Sequence, residues 1–245
     1  MVTVLLTRSE VQSVDWRYEF ERRGVVALLQ PVIEIFPVSS WELVDDVVLR
    51  ICEFDWVLFS SGNGVRFFLS RFCGGVKFPA AVRVGVVGGV TGDIFFECAG
   101  RRADILPETS NAEGLLAKIL SELSENIAGK KFLLPRGNRG RDILSSGISA
   151  AGGIVEEVVV YESVDCKTAK SEIIEAMQSG QIDWVTATSP AIAESLVNMF
   201  GNLLNKTKII SISPLTTQKL KKLGFPPKKE AKQTTKEAII NEILS

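Results

Sequence analysis

Short apolar runs alternate with stretches of helical periodicity along the whole chain. "TVLLT" (3–7) precedes a helical pattern over 9–23 that closes on "RRG", where Gly24 suits the residue just past a helix end. A helix over 40–52 is followed by the strand "DWVLFS" and a helix over 63–72. "VRVGVVG" (82–88) leads to a helix over 91–99, and "TSNAEGLLAKILSEL" offers Ser110 or Asn111 as its N-cap. "KKFLLPRG" (130–137) precedes a helix over 140–151. The last third predicts a helix over 167–179, "DWVTAT", a helix over 190–200, "TKIISIS", a helix over 214–223 and a final helix over 234–244. Strands alternating with helices of this length predict βαβ units and parallel sheets.

Two extended runs are longer than a strand buried on both faces needs: 25–38, broken by Pro31 and Pro37, and 154–164. Their excess length suits a two-stranded connector that carries the chain between two domains and back. On that reading one α/β domain is discontinuous, residues 1–36 plus 165–245, and the second spans 39–160, with the connecting segments as a hinge. "GFPPKKEAKQTTKE" predicts an edge strand or loop, with Lys228, Lys229, Lys232 and Lys236 as solvated surface.

An internal repeat reinforces the two-domain reading. "FDWVLFSSGNGVRFFLSRF" (54–72) and "IDWVTATSPAIAESLVNMF" (182–200) share apolar-Asp-Trp-Val, a hydroxyl pair at the end of the apolar run and a closing Phe, in one register 128 residues apart. In parallel α/β sheets, ligands bind beyond the carboxyl ends of the strands. Hydroxyl and glycine residues there cap the next helix and leave backbone N–H groups facing outward at its positive end. The repeat supplies Ser60-Ser61-Gly62-Asn63-Gly64 and Thr188-Ser189-Pro190-Ala191. Similar turns hold Thr7, Arg8 and Ser9; Gly88, Gly89 and Thr91; Ser110 and Asn111; Arg136 and Gly137; and Ser213, Pro214 and Thr216. So many N–H-rich strand ends suit a large ligand carrying several anions.

Composition narrows the chemistry. Net charge is −1, which gives no nucleic-acid footprint. A hydrogen bond to a charged group contributes roughly 1.5–3 kcal/mol, and micromolar binding needs about 8 kcal/mol, so several carboxylates held by turn amides suffice without a basic patch. No apolar stretch approaches the roughly 20 residues of a membrane span. The N-terminus reads as a strand, not a signal peptide. Cys52, Cys73, Cys98 and Cys166 are scattered, which argues against zinc or a disulfide framework and for small packing residues in a reducing cytoplasm. Histidine is absent, which excludes Ser-His-Asp and Cys-His chemistry and any His-ligated metal. No G-x-G-x-x-G or Walker loop supports nucleotide binding.

The order of "VLLTR", "P-x-I-E-I" (31–35), "FSSGNGV" (59–65), "VGGVT" (87–91), "NAEGL" (111–115), "PRGNRGRDIL" (135–144), "EVVVYESV" (157–164), "TSP" (188–190) and "SP-x-TT" (213–217) resembles the uroporphyrinogen-III synthase family. The resemblance implies two flavodoxin-like parallel-sheet domains joined by a two-stranded β-ladder, with the active site in the interdomain cleft. It implies closure of the linear tetrapyrrole hydroxymethylbilane, with loss of water and inversion of the last pyrrole, with no metal or organic cofactor; a monomer is the default expectation. The substrate's eight carboxylates agree with the N–H-rich turns. Tyr161 matches the family's tyrosine acid on the returning ladder strand; a phenol, with an ordinary pKa of about 10, can protonate a leaving hydroxyl. Thr91 and Thr216 match threonines on the two faces of the cleft, and Ser61, Asn63 and Ser189 lie at other turns, with Arg8 and Arg136 as further contacts. Ser213 stands where the family often has glycine, and Glu162-Ser163 where a basic residue is common. The competing reading is a non-catalytic, two-lobed sensor of an anionic small molecule.

Overall fold

The computed structural model describes residues 1–72 and 77–245, so Cys73 lies outside the described residues. In chain order the elements are β1 (Thr3–Leu6), α1 (Glu10–Arg22), β2 (Val26–Leu29), β3 (Ile33–Pro37), α2 (Glu42–Leu49), β4 (Trp56–Phe59) and α3 (Gly62–Leu69). Then come β5 (Arg83–Val86), α4 (Gly89–Ala99), α5 (Ala112–Leu123), β6 (Lys131–Gly137), α6 (Ile143–Ala150) and β7 (Ile154–Asp165). The chain closes with α7 (Ser171–Gln178), β8 (Trp184–Ala187), α8 (Pro190–Phe200), β9 (Lys208–Ser211), α9 (Pro214–Lys222), β10 (Lys229–Glu230) and α10 (Lys236–Leu244). It forms two compact units: unit 1 is Met1–Ile35 with Val164–Ser245, and unit 2 is Phe36–Ser163.

Each unit is a mostly parallel sheet covered on both faces. Successive residues of a strand point to opposite faces. Val4, Leu6 and Trp184 accordingly pack with Trp16 and Phe20 of α1 and Ile239, Ile240 and Ile243 of α10. Leu5 and Val185 pack the other way, against α7, α8 and α9 through Ile173, Ile192, Leu196 and Leu220. In unit 2, Trp56, Leu58, Phe132 and Leu134 meet Leu115, Ile119 and Ile148 of α5 and α6. Val57, Phe59 and Leu133 meet Val44, Val65, Phe68 and Phe95 of α2, α3 and α4. Burying each large apolar side chain contributes roughly 1.5–3 kcal/mol. Helix α1 ends as its sequence requires, with Gly24 at φ 75°, a left-handed conformation that costs glycine nothing.

The sheet orders are β10-β9-β8-β1-β2 and β3-β7-β6-β4-β5. Renumbered within unit 1, the first is 2-1-3-4-5, the flavodoxin-like order. Unit 2 repeats it in permuted chain order: β6 stands for β1, β7 for β2, β4 for β8 and β5 for β9. The registers agree residue by residue. Val4 pairs with Trp184 as Phe132 pairs with Trp56, and Thr3 pairs with Val26 as Lys131 pairs with Ile154. The 128-residue offset therefore extends beyond 54–72 and 182–200, to "TVLLTR" against "KFLLPR". A single bridge, Gly85 to Ile105, takes the place of β10 in unit 2.

The matching Asp residues of the repeat do matching work at the amino edge of each sheet. Asp55 accepts the Lys131 backbone N–H at 2.9 Å, and Asp183 accepts that of Thr3 at 2.8 Å. The tryptophans beside them are each covered by a cation from the next strand, Arg83 over Trp56 at 4.2 Å and Lys208 over Trp184 at 5.4 Å.

Some expectations need correction. Cys52 and Cys98 are exposed, not packed, and Cys166, which follows the end of β7, is only partly buried. The C-terminal lysines are not all simply solvated. Lys229 donates to the Glu242 carbonyl at 2.6 Å and to Ser245 Oγ at 2.9 Å, and Lys236 pairs with Asp15 of α1. The Lys229 contacts tie α10 to the edge strand and the Lys236 pair ties it to α1, and β10 is a two-residue edge strand beside β9.

Candidate active site

In a doubly wound sheet the ligand crevice opens at the carboxyl ends of the two strands where the chain order reverses. In unit 1 those strands are β1 and β8. Their ends carry Thr7 and Arg8 on one side and Thr188, Ser189, Pro190 and Ala191 on the other. In unit 2 they are β6 and β4, ending in Arg136 and Gly137 and in Ser60, Ser61, Asn63 and Gly64. The duplication pairs the expected residues: Arg8 with Arg136, Ser189 with Ser61, and, through β9 and β5, Thr216 with Thr91.

The hydroxyl turns cap helices as expected. Ser61 Oγ accepts the Gly64 N–H at 3.1 Å, and Ser189 Oγ accepts the Ile192 N–H at 3.1 Å. Asn111, rather than Ser110, caps α5 through the Gly114 N–H at 2.7 Å. Pro190 occupies the first turn of α8, where its missing N–H costs nothing. Thr91 and Thr216 are both buried in the first turn of their helices, and Thr216 Oγ1 lies 3.2 Å from Ser213 Oγ. Thr7 is buried and donates to the Thr186 carbonyl at 2.6 Å, which locks the end of β1 to β8.

Tyr161 is held on three sides. Its hydroxyl shares a hydrogen bond of 3.2 Å with Ser61 Oγ. Its ring stacks on Phe67 of α3 with centroids 5.7 Å apart. The ring also lies against Gly137, where an added Cβ would stand 2.6 Å from Cζ of the ring and 2.9 Å from the phenol oxygen. A β-bulge sets this arrangement: Arg136 pairs with Val159, but Gly137 pairs with Tyr161, leaving Val160 as an extra residue. Strict alternation would turn Tyr161 away from the face that Val158 and Val160 cover, yet it packs against the same cluster. Bulges re-aim side chains in this way. Nothing in the apolar pattern of "EVVVYESV" announces the bulge; Gly137 opposite Tyr161 is its one trace in the sequence.

The two arginines differ. Arg136 Nη1 bonds Asp142 at 2.8 Å and Glu157 at 2.7 Å, so its charge is met within unit 2. Arg8 has Nε 3.3 Å from Gln12 Oε1 and its guanidinium 5.2 Å from the Trp16 ring centroid. Burial pushes its pKa down from the ordinary arginine value. Thr188 Oγ1 is buried and has no hydrogen-bond partner among the described residues.

A shallow hollow of about 400 Å³ elsewhere in unit 1 is lined by Glu10, Gln30, Glu34, Cys166, Lys167 and Lys170 among others, and none of the expected site residues borders it. Among the described residues no group of three or more His, Cys, Asp or Glu side chains is placed to hold a metal. No helix among them is long and apolar enough to cross a membrane.

The family model described as "Uroporphyrinogen-III synthase HemD" matches residues 15–241. A uroporphyrinogen-III synthase of Chlorobaculum parvum is 30% identical over 232 residues, covering 92% of this chain and 91% of that protein. One from Synechococcus elongatus is 26% identical, covering 97% of this chain and 92% of that protein. Among solved structures, a mutant uroporphyrinogen III synthase of Thermus thermophilus aligns with a TM-score of 0.68, covering 100% of this chain and 98% of that one. The Helicobacter pylori enzyme aligns at 0.64, covering 100% and 99%. Both are 17% identical to this chain, so they bear on the fold alone.

Proposed function

The chain belongs to the uroporphyrinogen-III synthase family, and from that premise we propose that it closes hydroxymethylbilane to uroporphyrinogen III, with loss of water and inversion of the last pyrrole. The observation that carries this reading is the Tyr161 phenol, held by Ser61, Phe67 and Gly137 at the carboxyl edge of unit 2. We take the reaction to need no metal or organic cofactor and the enzyme to act as a monomer in the cytoplasm. No finding favours the non-catalytic sensor.

Those contacts suit a proton donor for that reaction. The Gly64 N–H occupies one lone pair of Ser61 Oγ. The Ser61 O–H is then available to donate to the Tyr161 oxygen, which leaves the phenol proton for the substrate. The pyrrole nitrogen pushes out the hydroxyl of the substrate's hydroxymethyl group. Tyr161 protonates that hydroxyl, water departs, and an azafulvene forms as the pyrrole gives up its N–H proton, which restores the phenolate to phenol. The terminal ring is attacked at its substituted carbon, gives a spiro intermediate, fragments and recloses inverted. The unaided bilane closes without inversion, so the protein's main contribution is to hold a conformation and keep water from the azafulvene.

Binding contacts in unit 1 are assigned to Arg8, Ser189, Pro190, Ala191 and Thr216, with Thr7 shaping the strand end. In unit 2 they are assigned to Ser61, Asn63, Gly64 and Thr91. Arg136 already holds two carboxylates and Gly137 lies under the phenol, so these two frame the site. Tyr161→Phe should lower turnover at least tenfold with no change in melting temperature; unchanged turnover would remove the acid role.

A further inference from the structure

The duplication allows each residue of one crevice to be compared with its twin. Arg8 and Arg136 follow the same strand pairing by the same number of residues, four beyond Val4 and Phe132. The carboxylates that neutralise Arg136 come from two definite places: Glu157, level with Leu134 on the neighbouring strand, and Asp142, the N-cap of α6. In unit 1 the residue level with Leu6 on the neighbouring strand is Leu29, and the N-cap of α1 is Ser9. Both counterions are therefore missing where the duplication would place them. No carboxylate lies within ion-pair distance of Arg8 among the described residues, and burial alone accounts for its lowered pKa.

A second observation points to the same place. β1 and β8 are adjacent and parallel, with Leu5 level with Val185, so Arg8 and Thr188 leave their strands at the same level. Arg8 lies two residues past the end of β1 and Thr188 one residue past the end of β8. Thr188 Oγ1 is buried with no hydrogen-bond partner among the described residues. A half-buried cation without an anion and a buried hydroxyl without a partner thus share one strand level at the crevice of unit 1.

We propose that Arg8 and Thr188 form a carboxylate-binding site in unit 1, in which a ligand carboxylate fills the place that Glu157 fills beside Arg136. The site deepens the synthase reading, on which it rests, by fixing where one acidic side chain of the tetrapyrrole is held. The guanidinium donates to one carboxylate oxygen and the threonine hydroxyl to the other. Gln12 and Trp16 steady the guanidinium from beneath.

The test measures the dissociation constant of uroporphyrin III, an octacarboxylate, by fluorescence titration, with melting temperature as a check on folding. A charge-assisted hydrogen bond of ordinary strength corresponds to roughly tenfold to a hundredfold in affinity. Arg8→Met should weaken binding by at least tenfold. Leu29→Glu should weaken it comparably with Arg8 still present, because it installs the missing internal counterion, whereas Leu29→Gln should change it less than threefold. Thr188→Val should weaken it by a smaller factor. Binding unchanged in Arg8→Met, or equal losses in Leu29→Glu and Leu29→Gln, would overturn the site. The enzymatic reading fails separately, if the wild-type protein yields no type III product.

Discussion

Gly137→Ala is the sharpest perturbation of the phenol. The new methyl would stand 2.6 Å from Cζ of Tyr161 and 2.9 Å from its oxygen, where ordinary contact is 3.4–4 Å. The ring cannot simply lean away, because Phe67 stacks on it and Ser61 holds its oxygen. It must shift by about 1 Å, a displacement that in a catalytic group costs up to a hundredfold in rate. The expected loss is tenfold to a hundredfold in kcat, or roughly 1.4–2.7 kcal/mol of transition-state stabilisation. Crowding adds about 1–3 kcal/mol of destabilisation, read by denaturant unfolding. Steady-state assays with enzymatically generated hydroxymethylbilane would separate kcat from KM, and KM should stay within threefold. The decisive arm is the double variant. In a Tyr161→Phe background Gly137→Ala should add little, because the two changes act through one group. An undiminished kcat in Gly137→Ala, or the same fold-loss with and without the phenol, would refute the reasoning.

The repeat supplies an internal comparison: Ser61→Ala and Ser189→Ala each remove an N-cap and should each destabilise by about 1 kcal/mol, yet Ser61→Ala should lower kcat more than Ser189→Ala, whose effect as a binding contact falls mainly on KM, and equal kcat losses would contradict the Ser61–Tyr161 link. Glu19 should titrate near pH 2 by carboxyl NMR, since hydrogen bonds first from Arg22 and then from Arg23 hold its pKa from 4.5 down to about 2. Its folded pKa is depressed, so its stabilising contribution is present above the ordinary carboxylate range and lost as pH falls toward 2; Arg22→Gln should bring the midpoint back up. Lys229→Ala should loosen α10, seen as faster amide exchange over 236–244 with turnover unaffected, since Lys229 holds the Glu242 carbonyl and Ser245 Oγ.

The fold was legible because its signals are local. Apolar runs such as "DWVLF" and "KIIS" are covered on both faces, and the hydroxyl caps Ser61, Asn111 and Ser189 stand where the sequence places them. The repeat at 54–72 and 182–200 was visible because Asp-Trp-Val is retained on both sides. Its extension to β1 and β6 was not, since only two leucines and an arginine persist there and the match emerges from strand register. What depended on tertiary structure stayed hidden. Arg8 and Arg136 look alike in sequence, but Glu157 reaches Arg136 only through the pairing of β7 with β6. The aim of Tyr161 depends on a bulge that no periodicity encodes. The lysines near the C-terminus read as solvated charge, although two of them hold α10 in place.

The central claim is tested most directly by product identity. Substoichiometric protein should be added to freshly generated hydroxymethylbilane, and the porphyrins separated after oxidation. The account predicts many turnovers with the type III isomer dominant over the spontaneous type I. Type I alone, at the rate seen without protein, would contradict it.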